Sequence, residues 1–240
     1  MEPVAPSNKS DIFATAIIVF ERSRHRMGNF HHIKENIIPD IIFFPAADSI
    51  NDFEKHKARS LEMNYHTDAY LKKYPSGSGK LGCNMSHIEL LQHFKTLPQD
   101  WFLVLEDDVQ IHNYDTDVLH SVIEAAKTNN SHYVHLYTNP DFRAKQFSLN
   151  TVAPDLYPMV KQWHTIAYLI DKRGIDIIFS KFPYNEHIDH IYSNNIKELN
   201  ATCYMNTMFM NGGAEFCNDK SSKFGSLIYK LRGKMGSWWQ

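Results

Sequence analysis

Cysteine is scarce in this chain: Cys83, Cys203 and Cys217 are the only three in 240 residues, and none forms a CxxC pair. An odd number without metal-type spacing argues against a disulfide framework and a structural zinc site, and predicts at least one free thiol. A cationic excess is also missing. Lys and Arg number 25 against 27 Asp and Glu, a formal net charge of -2, so there is no electrostatic footprint for nucleic acid as a partner. No apolar run reaches the roughly 20 residues that a membrane-spanning helix needs. Met1 to Asp11 is polar and has neither the basic nor the apolar region of a secretory signal, which predicts a soluble, cytoplasmic protein. No internal repeat is visible. Histidine is plentiful at 14, but number alone does not argue for a metal, since most histidines are surface or hydrogen-bonded core residues.

What is present is enough apolar material, 43% of residues, to bury the core of one domain. The expected organisation is a flexible start over residues 1–10, one domain over 11–220 and a basic, aromatic-ended tail over 221–240. Phe13 to Phe20 reads as a buried strand, followed by the basic cluster Arg22, Arg24 and Arg26. A helix from about Met27 to Glu35 and a second strand, Ile41 to Phe44, complete the opening of a βαβ unit. In open α/β sheets ligands bind beyond the carboxyl ends of the strands, so Arg22, Arg26 and Asp48 are expected to face one crevice. Residues 51–74 show no clear period, and Pro75 to Gly79 reads as a loop. Helices are predicted over about Asn84 to Leu97 and, capped by Asp115 or Asp117, to about Lys127. Further strands are expected at Tyr133 to Tyr137 and Trp163 to Ile170, the latter leading into a helix through about Phe179. The fold class is α/β, with a less regular C-terminal third.

The most informative stretch is Trp101-Phe-Leu-Val-Leu-Glu-Asp-Asp-Val-Gln-Ile111. Its apolar run reads as a strand buried on both faces. It ends in three adjacent acids, Glu106, Asp107 and Asp108, whose mutual repulsion in a partly desolvated place opposes ionisation. A hard divalent cation removes that conflict: Mg²⁺ or Mn²⁺ favours carboxylate oxygens, leaves positions for phosphate and neutralises a leaving diphosphate. Ser86 and His87, early in their predicted helix, could contact a phosphate through unpaired amides. A solvated acidic turn and a simple helix cap are the corresponding structural readings.

Three segments in order, Gly79-Lys-Leu-Gly-Cys-Asn-Met-Ser-His87, Leu105-Glu-Asp-Asp-Val109 and Pro183 to Tyr192 with Asp189, resemble glycosyltransferase family 25. This is the family of lipopolysaccharide and collagen hydroxylysine galactosyltransferases. Phe13 to Arg26, Phe44-Pro-Ala-Ala-Asp48 and Thr165 to Ile170 extend the likeness, and His187 stands where the family usually has proline. The resemblance implies a GT-A-like, Rossmann-like mixed sheet flanked by helices, a nucleotide-sugar donor and inverting transfer. It implies Asp108 as metal ligand, with Glu106 or Asp107 holding the ribose or a metal-bound water and Glu106 a possible second ligand. Lys80, Ser86 and His87 become expected donor contacts. Inversion needs a base opposite the leaving diphosphate, and Asp189 is the choice. His164, His187 and His190 are candidate further metal ligands or diphosphate contacts.

The resulting expectation is a metal-dependent hexosyltransferase using a UDP-sugar, galactose or glucose, with Mn²⁺ or Mg²⁺, acting on a hydroxyl of a glycan or glycoconjugate. The alternatives are a deoxyhexose-type donor, a catalytically silent nucleotide-sugar or glycan-binding module, and a metal-dependent phosphohydrolase, in which Gly82 to His87 would have no role. Lys230, Arg232, Lys234, Trp238 and Trp239 raise peripheral membrane contact through the tail. A terminal helix packed on the domain is the competing reading.

Overall fold

The computed structural model describes residues 12–21, 24–74, 79–137, 149–205 and 208–212, with the side chains of residues 24 and 25 left aside. The expectations for Arg22, for residues 1–10, for the loop residues 75–78 and for the tail fall outside these residues. Nine strands are described: β1 (Phe13–Val19), β2 (Ile42–Pro45), β3 (Trp101–Glu106), β4 (Val109–Ile111), β5 (Tyr133–His135), β6 (Leu156–Pro158), β7 (Ala167–Asp171), β8 (Thr202–Tyr204) and β9 (Phe209–Asn211). The helices among these residues are α1 (Arg24–Asn36), α2 (Phe53–Glu62), α3 (Asp68–Lys73), α4 (Lys80–Thr96), α5 (Thr116–Thr128), α6 (Lys172–Phe179) and α7 (Ile188–Asn194).

Seven strands form one mixed sheet in the order β2-β1-β3-β7-β5-β8-β6, and β4 and β9 pair separately. β1 runs parallel to β2 and β3, while β7 is antiparallel to β3. The expected α/β class, a mixed sheet flanked by helices in a single domain, is what the chain forms. Alternation along β3 assigns its side chains to two cores. Phe102 and Val104 join Met85, Ile88, Leu91 and Phe94 of α4 on one face. Trp101, Leu103 and Leu105 join Leu119, Val122 and Ile123 of α5 and Ile33 of α1 on the other. Because helices cover both faces, β3 is apolar without a break, and its first charged residue marks the end of the core.

Several boundaries differ from the sequence expectation, each for a physical reason. Residues 51–74 contain α2 and α3; α2 buries only Phe53 and Ser60, too little to leave an apolar period. α4 starts at Lys80, four residues before the predicted Asn84, because its cap is not local: the Gly82 amide donates to Ser49 Oγ at 2.8 Å, 33 residues away. Gly79, at φ +67°, turns the chain into it. Ser86 and His87 are therefore in the second turn, and the expected helix-start anion site is not at these two residues. The strand predicted over Trp163 to Ile170 begins at Ala167, since His164 has φ +76°, a left-handed conformation that ends extended pairing. Tyr133 to Tyr137 is a strand only as far as His135. Asp115 is the cap of α5, accepting from the Asp117 and Val118 amides.

Candidate active site

The three acids at the end of β3 have three different surroundings. Asp107 is buried and fully engaged: Oδ2 accepts from the Phe20 amide at 2.9 Å, and Oδ1 pairs with Arg26 at 3.0 Å. Asn29 donates to its carbonyl and to that of Val109. It clasps the β1–α1 turn to the acidic turn, which accounts for the basic cluster after β1 through Arg26. Burial, which outweighs Arg26, pushes its pKa up to about 6. Glu106 is half-buried, and its Oε1 accepts from Thr165 Oγ1 at 2.5 Å and faces His87 Nε2 at 3.3 Å. Burial works against its ionisation, but the His87 and Thr165 hydrogen bonds prevail and hold it below the usual carboxylate range.

Asp108 differs from both. Its carbonyl accepts from Gly212 at 2.8 Å, yet its side-chain Oδ1 is buried with no hydrogen-bond partner among the described residues. Burial first, then Glu106 and Asp107, push its pKa up to about 7. A buried acceptor left unsatisfied beside two other carboxylates carries a desolvation cost that a cation would relieve. The oxygen chemistry suits a hard divalent ion. Among the described residues no group of three or more His, Cys, Asp or Glu side chains is arranged to hold a metal, so such an ion would rest on Asp108, with or without Glu106, and on water and substrate oxygens.

The first two turns of α4 connect the acidic turn to the other loops. Gly82 packs against the loop after β2 so closely that a Cβ would lie 2.2 Å from the Ala47 carbonyl oxygen. Ser86 Oγ accepts from the Ala47 amide and donates to the Gly82 carbonyl. That loop also carries Asp48, whose carboxylate accepts from the Ile50 and Asn51 amides and organises the turn. His87 is fully buried and receives a hydrogen bond at Nδ1 from Tyr168 Oη, 2.9 Å away, which in turn accepts from Tyr192 Oη at 3.1 Å. One tautomer satisfies the whole series, with the His87 proton on Nε2 and directed at Glu106. Asn84, also buried, donates to the Glu186 carbonyl and accepts from the Ile188 amide, which fixes the entry to α7.

Asp189 lies in the first turn of α7. Its Oδ1 accepts from the His190 amide at 2.8 Å and its Oδ2 from the His164 amide at 3.4 Å. Consecutive residues, His164 and Thr165, thus touch Asp189 and Glu106. His187 has φ -70° and ψ 155°, a backbone conformation that proline also adopts. Its Nδ1 meets Tyr70 Oη at 3.2 Å, and its ring packs on Tyr74 and His190. Lys80 is exposed at the start of α4, with its ammonium 4.7 Å from the Tyr74 ring centroid. Cys83 is exposed, yet surrounding protein and the charges of Glu106, Asp189, Asp108 and Asp107 push its thiol pKa well up.

The structure therefore gathers Glu106, Asp107, Asp108, His87 and Asp189 around the first turns of α4. Ser86, on α4, bonds to the loop after β2 that carries Asp48, whose carboxylate organises that loop rather than joining the acids. Sequence reasoning missed Asn84, Thr165, Tyr168 and Tyr192. A tyrosine in a core strand requires a hydroxyl partner, and that was the available signal for Tyr168.

A protein of Aedes aegypti described as "Glycosyltransferase 25 family member" is 22% identical over 205 residues, covering 82% of this chain and 33% of its own length. The chain thus spans about a third of that relative. Among solved structures, a cytidylyltransferase from Leptospira borgpetersenii is similar at 9% identity and a TM-score of 0.42, covering 93% of this chain and 95% of that one. A glycosyltransferase involved in glycosylation of the PBCV-1 major capsid is similar at 14% identity and a TM-score of 0.33, covering 77% and 68%. The sequence model of glycosyltransferase family 25 (LPS biosynthesis protein) matches residues 14–192, most of the described sheet and every acid of the crevice, and the chain belongs to that family.

Proposed function

We propose that this glycosyltransferase is a metal-dependent, inverting hexosyltransferase of GT-A type. It moves galactose or glucose from a UDP-sugar to a hydroxyl of a glycan or glycoconjugate. The observation that carries the reading is the buried Oδ1 of Asp108, without a partner among the described residues, at the carboxyl end of the central strand. Asp108 would hold Mn²⁺ or Mg²⁺, and the ion would supply charge neutralisation to the donor diphosphate. Glu106 stays ionised under the His87 and Thr165 hydrogen bonds and is available to a donor hydroxyl or a water. Asp107 keeps the acidic turn on the β1–α1 turn. Lys80 is exposed at the start of α4, where its charge would favour an anionic donor. Asp189 takes the proton of the attacking acceptor hydroxyl as the bond to the anomeric carbon forms and the diphosphate leaves.

The test is a screen of UDP-, GDP- and dTDP-sugars with and without Mn²⁺. It follows thermal stabilisation, which reports ligands bound by the folded state, and donor hydrolysis. A UDP-hexose is expected to stabilise the protein only with the metal. In the Asp189→Asn variant that stabilisation is expected to persist while turnover falls by about 10² to 10⁴-fold. Metal-independent donor binding would sink the role of Asp108, and equal losses of affinity and turnover would move Asp189 to the donor side.

A further inference from the structure

We infer that Trp163 is the platform on which a pyranose ring of the acceptor stacks, beside Asp189. The proposal rests on the assignment of Asp189 as base and extends it to a binding subsite. Trp163 is 41% exposed, and it is the one aromatic among the large hydrophobic side chains exposed in the described residues. It does not sit on a loose surface loop. Gln162 before it is buried, with its carbonyl accepting from Ser193 Oγ and its amide nitrogen directed at Cys203 Sγ, 3.8 Å away. Thr165 after it is also buried and bonded to Glu106. The side chain is thus exposed on a backbone fixed on both sides, and a preformed contact of this kind avoids the entropy of ordering a loop on binding.

Two independent contacts tie residues 163 and 164 to the helix turn that carries the base. The amide of the following residue, His164, donates to Asp189 Oδ2, and the indole lies against the ring of His190, with centroids 5.9 Å apart and planes at 35°. His164 holds φ +76°, a conformation uncommon outside glycine and one that clusters at functional sites. It turns the chain so that one residue presents an aromatic face while the next two reach the carboxylates.

The chemistry of the occupant follows from the surface. The face of an aromatic ring is electronegative, and a pyranose presents a face of polarised C–H groups that complements it, with hydroxyls at its edge. His190, whose ring lies against the indole, is a polar group in place to meet those hydroxyls. A hydroxyl of the stacked sugar, or of its neighbour in a glycan, would then be held at Asp189.

The experiment measures binding of octyl β-galactoside, octyl β-glucoside and lactose by saturation-transfer NMR in the wild type, Trp163→Ala and Trp163→Gln. Thermal stabilisation by UDP with Mn²⁺ is followed in the same samples. At least one glycoside is expected to bind the wild type and to bind both variants about tenfold more weakly, a change of about 1.4 kcal/mol. The response to UDP should be unchanged, which also shows that the variants are folded. Glycoside binding equal in wild type and variants, or absent from the wild type, overturns the proposal. A loss of the UDP response in a variant whose melting temperature without ligand is unchanged also overturns it, because the indole would then serve the donor. Should either variant fail to fold, the other decides, and if both fail Trp163 is a structural residue and the proposal falls. The donor assignment fails separately: glycoside binding that depends on Trp163, in a wild type that no UDP-sugar stabilises, leaves the platform standing and removes the donor.

Discussion

Three consecutive carboxylates at one strand end give the protein one clasp, one oriented acceptor and one group left under electrostatic pressure. For Asp108 that pressure has a sign. Its folded pKa, about 7, lies above the ordinary value of 3.8, so the folded protein holds its proton more tightly than the unfolded chain does. Stability from this group is complete below pH 3.8 and is lost as pH rises through 7. His66 and His135 act in the opposite direction, since burial lowers them to about 4 and about 3. Their contribution is present above pH 6.5 and is lost as pH falls. Asp108→Asn, measured by urea unfolding without metal, should therefore be more stable than wild type at pH 8, by about 1–2 kcal/mol once solvent screening is allowed for. It should match the wild type near pH 4, with a steeper acid limb between pH 4 and 6.5, where the histidines are no longer offset. A variant less stable than wild type at pH 8 would show that Asp108 has a partner within the protein.

At the scale of elements, α4 is the part through which the site loops are set against one another. Gly82 meets the β2 loop, Ser86 bonds to it, Asn84 holds the start of α7, and His87 reaches Glu106. Gly82→Ala places a Cβ 2.2 Å from a backbone oxygen, and backbone gives way only by moving an element. The variant is expected to lose about 1–3 kcal/mol of stability, as overpacked sites do, and to lose donor-induced stabilisation in greater proportion than Ser86→Ala. Thermal melts with and without UDP and Mn²⁺ check both; a Gly82→Ala protein with the wild-type melting temperature would mean that the contact is slack. Much of this scale was legible in the sequence. The unbroken apolar run of β3 announced a strand covered on both faces, its acids stand at the end of that strand, and α6 falls close to where the pattern put it. What escaped was whatever a distant residue supplies. The cap of α4 comes from Ser49, the partner of His87 is Tyr168, and the face of α2 is too little buried to leave a period. Pairings of this kind leave no trace in local spacing.

For the whole molecule, the decisive feature is the reversed direction of β7 beside β3. In a sheet of parallel strands, segments leading into a strand lie at the opposite edge from segments leaving one. Because β7 runs against β3, the residues that precede it, Trp163 to Thr165, arrive at the same edge as the residues that follow β3. This register pairs Trp101–Leu105 with Ala167–Asp171, partners more than sixty residues apart in the chain, and the Glu106 amide extends it to the Ile166 carbonyl at 2.9 Å. Closing so long a loop is entropically expensive and slow compared with helix formation. Refolding from urea should therefore separate in time: helical circular dichroism recovers first, and fluorescence of a bound nucleotide analogue follows with the slower rate at which β3 finds β7. Simultaneous recovery of the two signals would mean that the acids assemble without β7. The expected lag makes ligand capture a clock for the β3–β7 pairing, and a freshly made chain would stay blind to its donor until those two strands had met.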